Sequence, residues 1–448
     1  MNPSRWVNDA NKVLLTDLYE LTMLQSYFDL GMKATAVFDL FVRRLPPTRN
    51  YLVACGLEHV LEYLETLSFT TESLSYLRSL QRFSDGFLDS LSSFRFTGDV
   101  YAVQEGTVVF ANEPLVEIVA PLPEAQFVET FVMNQMHVSM AAASKASRVV
   151  RAAKGRSVVD YGLRRLAGAD AGIKAARAFY IAGVDGTSNV LAGSLYGIPV
   201  AGTMAHSYIQ TFDNELDAFR HFVRSYPAGT LLIDTYDTLN GARHVIQLAN
   251  ELGTEFQVES VRLDSGDLKS LSQAVRRLLD EAGLSHVKIF ASSSLDEYAI
   301  EALLAGNAPI DGFGVGVRMG TSDDAPHLDT VYKLVEYDGK PRMKLATDKA
   351  TLPGRKQVFR NDAGFDVIAS AGEALEGDPL LVKVMESGRR VAPSASLEEC
   401  RARHRGQVEK LPNELTGTAR ASFPYPVRLS SSLEDALIKL RSELSLRV

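Results

Sequence analysis

Arg262-Leu-Asp-Ser-Gly-Asp267 puts a cation, two acids, a hydroxyl and a glycine directly ahead of an apolar-periodic stretch that begins at Leu268. At a helix N-terminus such a set suits a ribose hydroxyl or a hydrated Mg2+, through Asp264, Ser265 and Gly266, with Arg262 as a bidentate anion clamp. Asp264 and Asp267 can equally do no more than cap the helix. Asp234-Thr-Tyr-Asp237 repeats the arrangement earlier, and two acidic loops are harder to dismiss as caps than one. Asp234 is thus a candidate for the same ribose contact, and Asp234 with Asp237 for Mg2+ ligation. Gly202-Thr-Met-Ala-His-Ser207 sets His206 among hydroxyls and glycine, where an imidazole can act as nucleophile or as acid and base; a lone histidine is more often a packed or surface residue. Tyr161-Gly-Leu-Arg-Arg165 follows an aromatic face with cations, suited to stacking a flat ring and holding an anion. Phe313-Gly-Val-Gly-Val-Arg-Met-Gly320 offers backbone amides to phosphate at Gly314, Gly316 and Val317, a weak signal taken alone.

Each of these stretches follows a short, branched apolar run. Six such runs end at Asp160, Gly202, Asp234, Asp264, Ser292 and Gly316, each succeeded by helical periodicity. Near-continuous apolar runs are what strands buried on both faces require, and alternating β and α units imply a parallel sheet. In a parallel α/β barrel the reactive groups stand where strands end, which is where the polar residues above fall; the same rule strengthens the glycine pattern after the sixth run. The expected architecture is α/β: an incomplete TIM-like barrel over 141–330, with a discontinuous α/β domain built from 1–140 and a β-rich 331–448. In the first part, helices are expected over Leu14–Leu30, with Thr16 as N-cap and Glu20 near a capping-box position, and over Val53–Leu67, with a strand at Ala34–Val42. Alternating stretches from Phe96 and Leu115 read as antiparallel strands, and a long helix is expected from about Ala125 to Arg151. Later strands are expected at Val331–Tyr337, Arg342–Leu345, Gln357–Arg360 and Leu380–Val384, and a charged surface helix at Leu397–Leu411.

With 448 residues, 46% hydrophobic and 23% charged, the chain has the composition of an ordinary globular protein large enough for two or three domains. Its formal charge of −8, with no run of Lys and Arg, argues against a general nucleic-acid surface. Cys55 and Cys400 lie far apart and suggest two reduced thiols rather than a zinc or redox pair. Met1-Asn-Pro-Ser-Arg-Trp6 lacks signal-peptide architecture, and no run of about 18 apolar residues occurs, so a soluble cytoplasmic protein without a membrane partner is expected.

Taken together, Leu15-Thr-Asp-Leu-Tyr19, Tyr161-Gly-Leu-Arg-Arg165, Asp185-Gly-Thr-Ser-Asn-Val-Leu-Ala-Gly193, Gly202-Thr-Met-Ala-His-Ser207, Arg262-Leu-Asp-Ser-Gly-Asp267 and Val331-Tyr-Lys-Leu334 resemble, in order, the motifs of nicotinate phosphoribosyltransferases. The resemblance implies a type II phosphoribosyltransferase working as a homodimer with active sites at the subunit interface. It implies that nicotinate is joined to 5-phosphoribosyl 1-diphosphate with Mg2+, giving nicotinate mononucleotide and diphosphate in NAD salvage, coupled to hydrolysis of ATP as co-substrate. Carried over by motif, Tyr19 of one subunit and Tyr161 of the other sandwich the pyridine ring. Thr203 and Arg262 contact nicotinate or the product's phosphate, Arg164 binds an anion, Asp264 holds ribose hydroxyls, and His206 takes phosphate from ATP. Relatives often carry Thr where this chain has Val317, which removes one hydroxyl donor, and Phe where it has Tyr161, which keeps the ring face.

The same chemistry on nicotinamide is the nearest rival. The nicotinamide relative carries Asp where this chain has Ser188; a carboxylate there would accept from an amide and repel an acid, whereas a neutral hydroxyl tolerates nicotinate. A Schiff-base aldolase would need a lysine projecting into the barrel, for which Lys288 is the candidate. A non-enzymatic binding protein on the same fold would be expected to have degraded site residues, and these are intact.

Overall fold

A computed structural model describes residues 6–346 and 351–446, which leaves Met1–Arg5 of the signal-peptide reading outside the described residues. The chain forms two compact units, one from residues 142–326 and 416–420, the other from 1–141, 327–415 and 421–448. The boundary at 141/142 falls inside the helix Glu129–Ala152.

The unit that carries the polar motifs is a curled, six-stranded parallel sheet forming a half-barrel. In chain order its strands are Ser157–Asp160, Gly186–Thr187, Thr230–Leu232, Ser260–Leu263, Lys288–Ala291 and Gly312–Val315; in space they run second, first, sixth, fifth, fourth, third. Side chains alternate across each strand, so in the fourth Val261 and Leu263 are wholly buried while Arg262 faces the other way. Helices follow the strands as expected, among them Thr238–Leu252 and Leu268–Glu281. Parallel pairing in register brings strand ends together: Leu232 pairs with Arg262, and Leu263 with Ala291. Asp234, Asp264 and Ser292 therefore emerge side by side.

One expected barrel strand differs. The run ending at Gly202 contributes only a bridge, Thr187 to Val200, and the second strand is Gly186–Thr187. Pro199 has no N–H for a ladder, so the run lends its Pro199 carbonyl to Thr187 N and takes Ala201 N to Thr187 O, each at 3.0 Å. Gly186 is required there, since a Cβ would stand 2.7 Å from the Pro199 oxygen.

The other unit holds a seven-stranded antiparallel sheet in which Thr35–Val42 lies between Thr330–Tyr337 and Pro114–Pro121, so the two ends of the chain share one sheet. Phe38 stacks on Tyr332 at 4.9 Å and Tyr63 on Phe131 at 3.7 Å in its core. A second sheet combines Lys356–Asn361, Phe365–Ser370, Asp378–Pro379 and Val427–Leu429. The first long helix begins at Leu18 with Asp17, not Thr16, at its N-cap; Asp17 makes no side-chain cap because its carboxylate accepts from Thr130 Oγ1 at 3.0 Å. Glu20 is buried and accepts from Gln126 Nε2 at 2.9 Å rather than closing a capping box. The expected helix from Val53 starts at Leu57, after the strand Leu52–Val53. The long helix is broken into Leu122–Phe127 and Glu129–Ala152, and 342–345 is not a strand. Cys55 and Cys400 are buried thiols, and no described helix is long and apolar enough to cross a membrane.

Candidate active site

Asp160 ends the first strand and shapes the turn after it. Its Oδ1 accepts from Gly162 N and its Oδ2 from Thr187 Oγ1, both at 2.7 Å. Burial raises this carboxyl above the ordinary range, and the two donors oppose that rise. The turn so held presents Tyr161, whose N donates to Val315 O at 2.8 Å. The Tyr161 ring lies 6.2 Å from that of Phe290, and the Arg262 guanidinium stands 5.9 Å from its centre. Burial raises its phenol too, with Arg262 acting in the other direction.

The ring fits because residue 314 is glycine: a Cβ there would sit 2.5 and 2.6 Å from Tyr161 ring carbons. Gly314→Ala is therefore expected to displace Tyr161, costing about 1–3 kcal/mol of stability as an overpacked site. It should raise the KM for the ring substrate more than that for its co-substrate. Thermal melting together with both KM values checks this, and an unchanged ring-substrate KM would remove Tyr161 from the pocket.

Arg262 is the hub. Its Nη1 donates to Thr203 Oγ1 at 2.5 Å and to Met204 O at 3.3 Å, while Nη2 lies 3.8 Å from Asp264 Oδ1. Asp264 Oδ1 also accepts from Ser292 Oγ, and its Oδ2 stands 3.5 Å from His206 Nε2. His206 Nδ1 meets Thr235 Oγ1 at 3.1 Å. Asp234 Oδ2 accepts Asp264 N at 2.8 Å and Ser265 Oγ at 2.6 Å, fixing the loop that carries both. Two buried atoms of this cluster, Asp234 Oδ1 and Arg262 Nε, have no hydrogen-bond partner. A buried polar atom without a partner is costly, so a carboxylate oxygen and a guanidinium N–H await a ligand or water.

Tyr161, Thr203, His206, Asp234, Arg262, Asp264 and Ser265 thus come together. Ser188 is half-buried, its N donating to Asp160 O at 2.9 Å. Gly266 takes φ +78 in the turn before Leu268, and Asp267 caps the following helix through Ser270 N. Gly316 and Val317 lie half-buried at the start of the short helix Val317–Gly320. Two residues stand apart from this cluster. Arg164 is exposed, with no ion pair among the described residues. Asp237 Oδ1 accepts from Asn240 N at 2.8 Å as the N-cap of Thr238–Leu252. Tyr19, half exposed, belongs to the other compact unit. Among the described residues no group of three or more His, Cys, Asp or Glu is set to hold a metal ion. Thr235 and Ser292 enter the site without having been assigned roles from the sequence; the signal was a hydroxyl at or just past a barrel strand end, adjacent in register to an acid.

Three family models match the chain: the nicotinate phosphoribosyltransferase N-terminal domain over residues 14–137, the nicotinate phosphoribosyltransferase family over 157–350, and the C-terminal domain over 331–437. Over 433 residues the sequence is 54% identical to nicotinate phosphoribosyltransferase pncB2 of Mycobacterium tuberculosis, covering 96% of this chain and 94% of that protein. It is 41% identical over 378 residues to the Bacillus subtilis nicotinate phosphoribosyltransferase, 83% of this chain and 76% of that one. The crystal structure of human nicotinic acid phosphoribosyltransferase aligns with a TM-score of 0.84 at 27% identity, over 95% of this chain and 99% of that one.

Proposed function

The chain belongs to the nicotinate phosphoribosyltransferase family, and we propose from this that it joins nicotinate to 5-phosphoribosyl 1-diphosphate, releasing diphosphate and nicotinate mononucleotide for NAD biosynthesis. The observation that carries the reading is the chain of contacts at the strand ends of the half-barrel in which Arg262 faces the Tyr161 ring and reaches Thr203 and Asp264, with His206 beside Asp264. The pyridine nitrogen attacks C1 of a sugar already activated by its diphosphate, so the transfer needs no protein nucleophile. The site's tasks are alignment and stabilisation of charge on an oxocarbenium-like ribose and on the departing diphosphate. Tyr161 offers its face to the ring. Arg262 and Thr203 hold the nicotinate carboxylate or the product's phosphate, and Asp264 takes ribose hydroxyls. Gly314, Gly316 and Val317 line the phosphate loop.

Mg2+ fits this site as an ion held chiefly by substrate. Such ions are bound through one or two carboxylates plus phosphates and waters, and Asp234 Oδ1, buried without a partner next to Asp264, is the available ligand. The ion would neutralise charge on the diphosphate. Coupling to ATP through His206, a homodimer in which Tyr19 completes the partner subunit's site and an anion contact at Arg164 rest on the family resemblance, and a cytoplasmic location on the sequence pattern alone. Lys288 begins its strand, at the end away from the cluster, which leaves the aldolase reading without its lysine.

Incubating the protein with the phosphoribosyl donor, Mg2+ and either base, then identifying the mononucleotide, tests the assignment; faster turnover of nicotinamide would overturn it. Ser188→Asp is expected to reject nicotinate. A carboxylate about 4 Å from the substrate's own costs on the order of 4 kcal/mol at an effective dielectric of 20. Nicotinate kinetics unchanged by the substitution would take Ser188 out of the base pocket.

A further inference from the structure

Beside the sixth-strand loop lies a charge cluster that the proposed reaction does not use. Lys145, wholly buried, places Nζ 2.6 Å from Glu297 Oε2, 2.8 Å from Asp324 Oδ1 and 3.4 Å from Asp323 Oδ1. Arg148 donates Nε to Glu297 Oε1 at 2.8 Å and Nη2 to Thr418 O at 2.8 Å. Arg318 completes the cluster, with Nη1 2.5 Å from Asp296 Oδ2 and Nε 3.9 Å from Asp323 Oδ2.

The three cations are not equivalent. The side chains of Lys145 and Arg148 are 0% and 4% exposed, that of Arg318 42%. Removing a partner from a buried ion pair leaves an uncompensated charge, so the inner pair is fixed. Both acids that hold Arg318 have a second partner. Asp296 Oδ1 accepts Ala299 N at 2.8 Å as the N-cap of Glu297–Ala305, and Asp323 Oδ1 faces Lys145. If Arg318 leaves, Asp323 keeps Lys145, whereas Asp296, 9% exposed, keeps only the Ala299 N–H and loses its cation, which is what makes it a competitor for the guanidinium. Arg318 follows Gly316 and Val317 in the loop after the sixth strand, so its guanidinium is the exchangeable arm of an otherwise immobile cluster.

We propose that Arg318 binds substrate phosphate, exchanging Asp296 for a phosphate oxygen, while Lys145 holds the Asp323–Asp324 turn that steadies the loop. The inference rests on the transferase reading above and adds to it an anion-binding residue with a built-in competitor. Phosphate can come from the phosphoribosyl donor or from ATP, and the two are separated by measuring the KM for each.

Two substitutions with opposite expected signs test it. Arg318→Gln should weaken binding of inorganic diphosphate with Mg2+, measured by calorimetry, about tenfold or more, because a charge-assisted bond is lost. Asp296→Asn can still cap its helix but no longer competes as an anion, so it should tighten the same binding by about threefold or more. The double variant should behave as Arg318→Gln alone, because the competitor acts only through Arg318. The KM for the donor or for ATP, whichever supplies the phosphate, should move in parallel. A pair serving only to stabilise the loop would make both single variants weaker binders with lower melting temperatures, and that result, or no change in either, overturns the proposal. Failure of the wild type to form any mononucleotide would count against the transferase reading instead, since diphosphate binding is read without turnover.

Discussion

Arg262→Ala is expected to lower kcat/KM for mononucleotide formation at least about a hundredfold. Truncating one member of a desolvated, hydrogen-bonded charge pair costs roughly 2–5 kcal/mol, and this side chain is 12% exposed. Its loss strikes three partners at once. Thr203 Oγ1 loses its donor, Asp264 loses its neighbouring cation, and the Tyr161 ring loses the guanidinium 5.9 Å from its centre. Arg262→Lys keeps the charge but not the planar fork that reaches Thr203 and the Asp264 side together, so an intermediate loss is expected. Steady-state kinetics on all three proteins, with melting curves to verify folding, decide the matter: a folded alanine variant within about threefold of wild type would mean that the anion is held elsewhere, because a largely buried clamp cannot be that cheap.

How far the site could be read in advance depended on how local its signals are. Asp234 and Asp264 stand immediately after buried apolar runs, and a parallel barrel leaves strand ends nowhere to go but its reactive face; their convergence followed from pattern alone. The contacts among them did not. Ser292 reaches Asp264 only because Ala291 pairs with Leu263, and Asp234 receives Asp264 N only because Leu232 pairs with Arg262, and register between strands separated by a helix has no local signature. The run at Ile198 misled because it has the branched residues of a strand while Pro199 withholds the donor that a ladder needs. In the other unit, Phe365–Ser370 and Val427–Leu429 pair across a long stretch of sequence, and short strands of that kind are specified by their partners more than by themselves. Lys145 sits in a helix whose neighbouring positions are mostly Ala and Ser, a hint of close packing around a charge, but its partners Glu297, Asp323 and Asp324 are too distant in sequence to be found without the fold.

His206→Ala is expected to abolish ATP hydrolysis and ATP stimulation while sparing some uncoupled mononucleotide formation. The surroundings of the ring suit a phosphoryl acceptor. His206 is half-buried rather than enclosed, Thr235 Oγ1 at 3.1 Å can donate to or accept from Nδ1 and so hold either tautomer, and Asp264 at 3.5 Å from Nε2 can balance positive charge that builds on the ring as nitrogen attacks the γ-phosphorus. Phosphorylation would then add negative charge beside Asp264, loosening the carboxylate's claim on Arg262 or tightening the guanidinium's hold on the donor. Either effect couples ATP to donor binding through Arg262, because that guanidinium lies next to Asp264 and touches Thr203 in the same motif as the histidine. None of this is needed for attack of the pyridine nitrogen on C1, which is why the uncoupled reaction should survive. Radiolabelled γ-phosphate should appear on the wild type as an acid-labile, base-stable adduct and be absent from His206→Ala. Asp264→Asn, which keeps the size but removes the charge that balances the ring, should slow labelling as well as transfer. A variant lacking the imidazole that retained full ATP-dependent stimulation would make His206 a packing residue, and coupling would have to pass through another group.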